Sequence, residues 1–250
     1  MNLFRTPAIF SGYPGLVAAE STRHGGVSPA PWHSLNLGKN TADAPENTAE
    51  NRRRFCAALG FLPNQLAWSK QVHGAEVLVT TAPGGAEGFD ALATQTPGVF
   101  LSVSVADCTP VLVFDPVRRA VAAIHAGWRG AAAGIVGKTL RVMAEKFGTR
   151  GADCRAYIGT CIDECSFEVG AEVAAEFDPA FKRYDPGRDR FFVDLKKVCT
   201  VQLLDAGLAA GHIEVSPFST VLHNRDYFSH RKEGGVTGRM LAVIGVREGA

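Results

Sequence analysis

Short apolar runs bounded by turn residues dominate the chain. "GVFLSVSVADC" (98–108), "PVLVFDP" (110–116) and "RRAVAAIHAG" (118–127) are too short for helices and end at Asp, Pro or Gly, so they predict strands. "GLVAAEST" (15–22), "CRAYIG" (154–159), "HIEVS" (212–216) and "MLAVIGV" (240–246) read the same way. "LAWSKQVHGAEVLVT" (66–80) reads as two strands interrupted at His73 and Gly74.

Other stretches follow a helical period. In "DAPENTAENRRRFCAALG" (43–60), Pro45 suits the first turn, Glu46 the positive end and Gly60 the stop. From Trp128 to Phe147 the apolar residues Val136, Leu140, Met143 and Phe147 recur at +4, +3 and +4, which predicts one amphipathic helix ending at Gly148. "GAEVAAEF" (170–177) begins a helix limited by Pro179. "FFVDLKKVCTVQLLDAGLAAG" predicts a strand, then a helix capped by Asp194 and closed near Gly211. "RHGGVSPAPWHSLNLG" (23–38) is a Gly/Pro-rich loop. The mixture lacks even βαβ alternation, repeats and linkers. It predicts one α+β domain over 1–250, with mixed β-sheets sandwiched with helices.

Composition narrows the class. A net charge of +1 gives no electrostatic case for nucleic acid or an anionic membrane surface. No apolar run approaches the roughly 20 residues of a membrane span. "MNLFRTPAIFSGYPG" lacks the features of a signal peptide, so a cytoplasmic location is expected. There the six cysteines should be reduced thiols, each a candidate ligand or nucleophile.

Cys108 and His125 each end a predicted strand, and one intervening strand and turn would bring those ends close. His73 sits where a third strand breaks. A thiolate and two imidazoles suit zinc, and three protein ligands leave a position for water or substrate. The chain has no C-x-x-C pair and no H-E-x-x-H helix, so spacing alone favours three unrelated polar residues at strand ends. In "HAGWRG", a helix expected just after His125 would aim free N–H groups at the same place. Arg129 would add a bidentate donor for phosphate or carboxylate. Gly127 and Gly130 would permit close approach to the backbone. Arg23, Ser28, Asn36, Asp90 and Arg239 are polar residues in predicted loops, more often solvated than functional.

The motifs together resemble the laccase-domain family, whose members are also called polyphenol oxidases, purine nucleoside phosphorylases or peptidoglycan editing factors. "STRHGGVS", "SLNLG", "ENRRRF", "QVHG", "FDALAT", "ADCTPVLVFDP", "HAGWRG", "IGTCI", "FEVG" and "TGRM" occur in family order from about residue 20 to residue 240. The resemblance implies an α/β sandwich with zinc on His73, Cys108 and His125. It also implies phosphorolysis of purine nucleosides and deamination of adenosine, with Arg23, Ser28, Asn36, Arg129 and Arg239 as candidate substrate-binding residues. Thr160 departs from the family's usual proline, and Ser219 from a frequent cysteine.

Four readings follow. In a zinc-dependent purine nucleoside enzyme, Arg129 would hold phosphate, and Asp107, beside the ligand Cys108, is a candidate proton carrier. A copper-dependent polyphenol oxidase would need clustered H-x-H pairs, and none of the seven histidines is so paired, although one copper would also suit the three-ligand site. A cysteine hydrolase editing peptidoglycan precursors would use Cys108 as nucleophile and His125 or His73 as base. A structural metal or partner-binding protein would need a closed four-ligand site, and no fourth ligand stands out.

Overall fold

A computed structural model describes residues 2–249. Two six-stranded sheets lie face to face. The first runs, in spatial order, Phe4–Arg5, Leu16–Ser21, Met240–Val246, Phe100–Val105, Leu66–Lys70 and Gly84–Glu87. The second runs Ile213–Val215, Arg155–Ile158, Thr109–Asp115, Ala120–Ala126, Ala91–Thr94 and Val77–Val79. Both mix parallel and antiparallel pairs. A small third sheet joins Glu168–Val169, Arg190–Val193 and Lys182–Asp185.

The strands read as near-continuous apolar runs because both of their faces are covered. Successive side chains point to opposite faces. Leu112 and Phe114 therefore enter the core between the sheets, while Val111 and Val113 enter the core under the helices. Leu101 and Val103 meet Leu92, Val121 and Ala123 across the inter-sheet core, joined by Ala242 and Ile244. Behind the second sheet lie the helices Ile135–Phe147 and Leu195–Asp205. Behind the first lies the helix Pro45–Ala58, which contributes Phe55 and Cys56 to a core with Val17, Leu241 and Val243. The order is helix, sheet, sheet, helices, an α+β sandwich.

A buried acid ties the two sheets together. Glu20 accepts from Tyr157 Oη at 2.8 Å, Thr160 N at 2.7 Å and Thr160 Oγ1 at 2.9 Å. Burial raises the Glu20 pKa above the usual carboxylate value, and these donors offset only part of the rise. The Thr160 hydroxyl also lies 2.9 Å from Ser216 Oγ.

Pro45 opens its helix and Asp194 caps the helix Leu195–Asp205 through Lys197 N, both as the sequence predicts. Three expectations change. The helix expected to close near Gly211 ends at Asp205, and Gly207 at φ +94° turns the chain out of it. The helix predicted from Trp128 to Phe147 is broken into Trp128–Ala132 and Ile135–Phe147. Gly134 sits between them at φ +75°, a left-handed conformation that stops a helix. "FDALAT", read as a loop, supplies the buried strand Ala91–Thr94. Its run is too short for periodicity to show, and it is fixed by pairing with Val77–Val79 and Ala120–Ala126.

Candidate metal centre and its cavity

His73, Cys108 and His125 converge. Their candidate ligand atoms all lie within 4.8 Å of one another. His73 comes from the loop between Leu66–Lys70 and Val77–Val79, Cys108 from the turn before Thr109–Asp115, and His125 from near the end of Ala120–Ala126. Pairing of Pro110 with His125 brings the second and third together. The imidazoles stand edge to face, centroids 4.9 Å apart. Gly127 is where the backbone passes against all three, since a Cβ there would lie 3.0 Å from His73 Cδ2 and 3.3 Å from Cys108 Sγ. Gly130 meets the Gly74 carbonyl, to which a Cβ would come within 2.6 Å. Both glycines of "HAGWRG" thus admit neighbouring protein atoms rather than a small molecule.

Two carboxylates brace the ligand-bearing turns. Fully buried Asp90 accepts from His125 Nδ1 at 2.7 Å and from the backbone N–H groups of Val72, His73 and Gly74 at 3.1, 3.0 and 2.8 Å. This assigns the Nδ1 proton toward Asp90 and leaves Nε2 of His125 for the cluster. His73 is held at φ +59° and Asp107 at φ +88°, conformations that non-glycine residues rarely adopt. Asp107 accepts from Thr220 Oγ1 at 2.5 Å, Ser229 Oγ at 2.7 Å and Arg231 N at 2.6 Å. Both of its oxygens are engaged. Its contacts are those of a brace, although it also lines the cavity.

Burial pushes the Cys108 thiol up, but the adjoining His125 and His73 outweigh it and bring the pKa down to about 6. Burial pulls His125 down, yet the Cys108 thiolate and Asp90 lift it well above the ordinary imidazole value. Burial raises Asp90, and its hydrogen bonds with His125 and the 72–74 backbone more than reverse that. A thiolate ready at neutral pH and two imidazoles, one with its far nitrogen held by a carboxylate, fit zinc.

The cluster opens into a cavity of about 470 Å³. Its walls carry Lys39, Arg52, Arg231 and Arg239 together with Trp68 and Phe167. Of the five candidate substrate-binding residues, only Arg239 lines it. Arg23 is occupied by Glu233, by the carbonyls of His33 and Asn224, and by the Phe228 ring. Ser28 donates to Asp43 inside the fold. Asn36 accepts from Gly38 N and Arg239 N, and so shapes the wall from behind. Arg129 is exposed and lies over the Trp128 ring at 4.3 Å, outside the cavity lining. It stands in the first turn of the five-residue helix Trp128–Ala132, and the structure does not bring it together with the other basic residues of the cavity. Thr160 and Ser219 also lie off the wall.

Three residues were missed. Asp90 read only as a loop acid. Lys39 and Arg52 carried no assigned role, although the helix held a signal: Thr48, Asn51, Arg52 and Phe55 share its buried face. Polar residues recurring at helical spacing on an inward stripe mark a site rather than a core.

The helix–sheet–sheet–helix sandwich places a candidate metal-binding N/S cluster at the floor of a basic cavity. The profile described as multi-copper polyphenol oxidoreductase laccase matches residues 17–247, and the chain belongs to that family. It is 41% identical over 235 residues to the purine nucleoside phosphorylase of Deinococcus radiodurans, covering 92% of this chain and 90% of that one. It is 37% identical to the purine nucleoside phosphorylase YfiH of Escherichia coli, covering 92% and 93%. The crystal structure of YlmD from Geobacillus stearothermophilus superposes with a TM-score of 0.91 at 33% identity, covering 99% of this chain and all of that one.

Proposed function

We propose that the chain is a single-domain, zinc-dependent purine nucleoside phosphorylase. It would convert adenosine, inosine and methylthioadenosine to the free base and the (methylthio)ribose 1-phosphate, with adenosine deamination as a second activity. The observation that carries this reading is the His73, Cys108 and His125 cluster at the floor of the cavity. The names of the relatives support the substrate class.

Zinc held by these residues would act as a Lewis acid, or lower the pKa of a bound water toward ~7. The chain's own residues do the rest. Trp68 and Phe167 offer aromatic surface to a purine. The basic wall holds an anion beside the sugar. In phosphorolysis a phosphate oxygen forms its bond to C1′ while the C1′–N9 bond breaks. The base leaves with that electron pair and takes up a proton. Asp90 and Asp107 keep the floor rigid. The cluster offers donors for one ion, which suits a mononuclear site better than the several coppers in the family's description.

A cysteine hydrolase has one observation in its favour, the sequence of contacts from Cys108 to His125 to Asp90. His73 weighs against it, because a nucleophile and base need no second imidazole within 4.8 Å.

The test is elemental analysis of the purified chain with a nucleoside panel, with and without phosphate. Stoichiometric zinc and phosphate-dependent release of free base are expected. Turnover that survives chelation but is abolished by alkylating Cys108 would move the assignment to the hydrolase.

A further inference from the structure

Besides the two cluster histidines, five residues lining the cavity are basic: Lys39, Arg52, His230, Arg231 and Arg239. The one carboxylate among them, Asp107, is already held by three donors. Arg52 is the unusual member. It is 8% exposed, and its Nε donates to Leu37 O at 2.9 Å. No carboxylate pairs with it among the described residues, and its remaining N–H groups have no protein acceptor there. A buried, unpaired guanidinium is costly, so residues of this kind are normally paired. Arg239 is half-buried and, although Cys108, Asp107 and Glu233 exert their charge on it, it makes no ion pair among the described residues. Its Nη1 donates to the carbonyls of Thr237 and Gly238, and no carboxylate pairs with it. Its stem lies against Gly38, where a Cβ would come within 2.7 Å of Arg239 Cγ. Lys39, over the Trp68 ring at 3.8 Å, adds a third charge close enough to Arg52 for the two to repel.

We propose that Arg52 and Arg239, with Lys39 beside them, form the subsite that holds inorganic phosphate in this cavity. The two forks supply the partners a tetrahedral oxyanion needs, and the anion supplies an ion-pair partner that neither arginine has among the described residues. The cluster at the floor lies in the same cavity, which places a phosphate oxygen and the sugar in one enclosure. The assignment rests on the phosphorolysis reading for its choice of phosphate, but its geometry is separate from the metal.

The zinc-loaded full chain is titrated with inorganic phosphate by calorimetry, and inosine phosphorolysis is followed at varied phosphate. Wild type is compared with Arg52→Gln, Arg52→Lys and Arg239→Gln, with thermal melts to establish folding. Either Gln variant should weaken phosphate binding and raise the phosphate KM about ten- to hundredfold, leaving the inosine KM within about threefold. Arg52→Lys should recover part of the loss. If Arg52→Gln fails to fold, Arg239→Gln carries the test. Unchanged phosphate affinity in a folded Gln variant overturns the subsite. So does a loss confined to adenosine 5′-monophosphate, which would give the pair to a nucleotide. Arginine-dependent phosphate binding without nucleoside turnover would keep the subsite and refute phosphorolysis.

Discussion

Asp90→Asn tests whether one buried carboxylate organises the metal centre. In the wild type each oxygen takes two donors. Oδ1 accepts from His73 N and His125 Nδ1, and Oδ2 accepts from Val72 N and Gly74 N. An asparagine has one oxygen and an amide that can only donate, so at least two of the four donors lose their acceptor. Leaving a buried donor unsatisfied costs about 1–3 kcal/mol, so the substitution should cost roughly 2–6 kcal/mol. That is a large share of a total stability of about 5–15 kcal/mol. The loss falls on the backbone that keeps His73 at φ +59°. Zinc affinity should therefore drop about 10- to 100-fold, the usual penalty for removing a ligand's supporting partner. Competition with a chromogenic chelator at pH 7 measures it, with a melting curve to establish that the variant is folded. Zinc affinity within about threefold of wild type in a folded Asp90→Asn would refute the bracing role.

Gly127→Ala places a Cβ 3.0 Å from His73 and 3.3 Å from Cys108, so it should lower zinc affinity at least about tenfold by the same competition assay, while distant packing is retained. Arg129→Ala removes an exposed stack on Trp128 and should leave the phosphate KM within about twofold; a rise of tenfold in steady-state kinetics would restore it to the anion site. Burial holds the thiols of Cys56, Cys154 and Cys161 up at about 12 and that of Cys199 higher still, so a native thiol titration should gain one fast-reacting group, Cys108, when zinc is stripped. Burial pushes Asp43 up, but donors on Ser28, Asn36, Asn47 and Ala44 hold it below the usual carboxylate value. Its stabilisation is therefore present above the unfolded value of about 4 and is lost as pH falls through the native one. Asp43→Asn should be less stable than wild type by ~1–2 kcal/mol at pH 7 in denaturant titrations, with the gap closing on acidification; a gap independent of pH would refute the linkage.

The strands and helix caps were legible because burial writes them directly into residue order. Leu112 and Val113 face different cores, and both have to be apolar. The convergence of His73, Cys108 and His125 could be read from strand ends and family motifs, since two of the strands are consecutive and antiparallel. The cavity wall was not legible. Arg52 and Arg239 are far apart in sequence and line one cavity only because the helix Pro45–Ala58 packs against the sheet that holds the strand Met240–Val246. Arg129 misled for a local reason. Its place beside a ligand histidine suggested a site, but its exposed side chain lies over the half-buried Trp128 ring, outside the cavity lining.

The acid between the sheets constrains how this family can diversify. Thr160 gives Glu20 both its backbone N–H and its hydroxyl. A proline at that position would have neither. A lineage that exchanges threonine for proline there strips two of three donors from a carboxylate sealed off from water, and selection then falls on residue 20. Positions 20 and 160, 140 residues apart, should therefore covary, and an alignment in which residue 20 stays acidic whenever residue 160 is proline would refute the coupling.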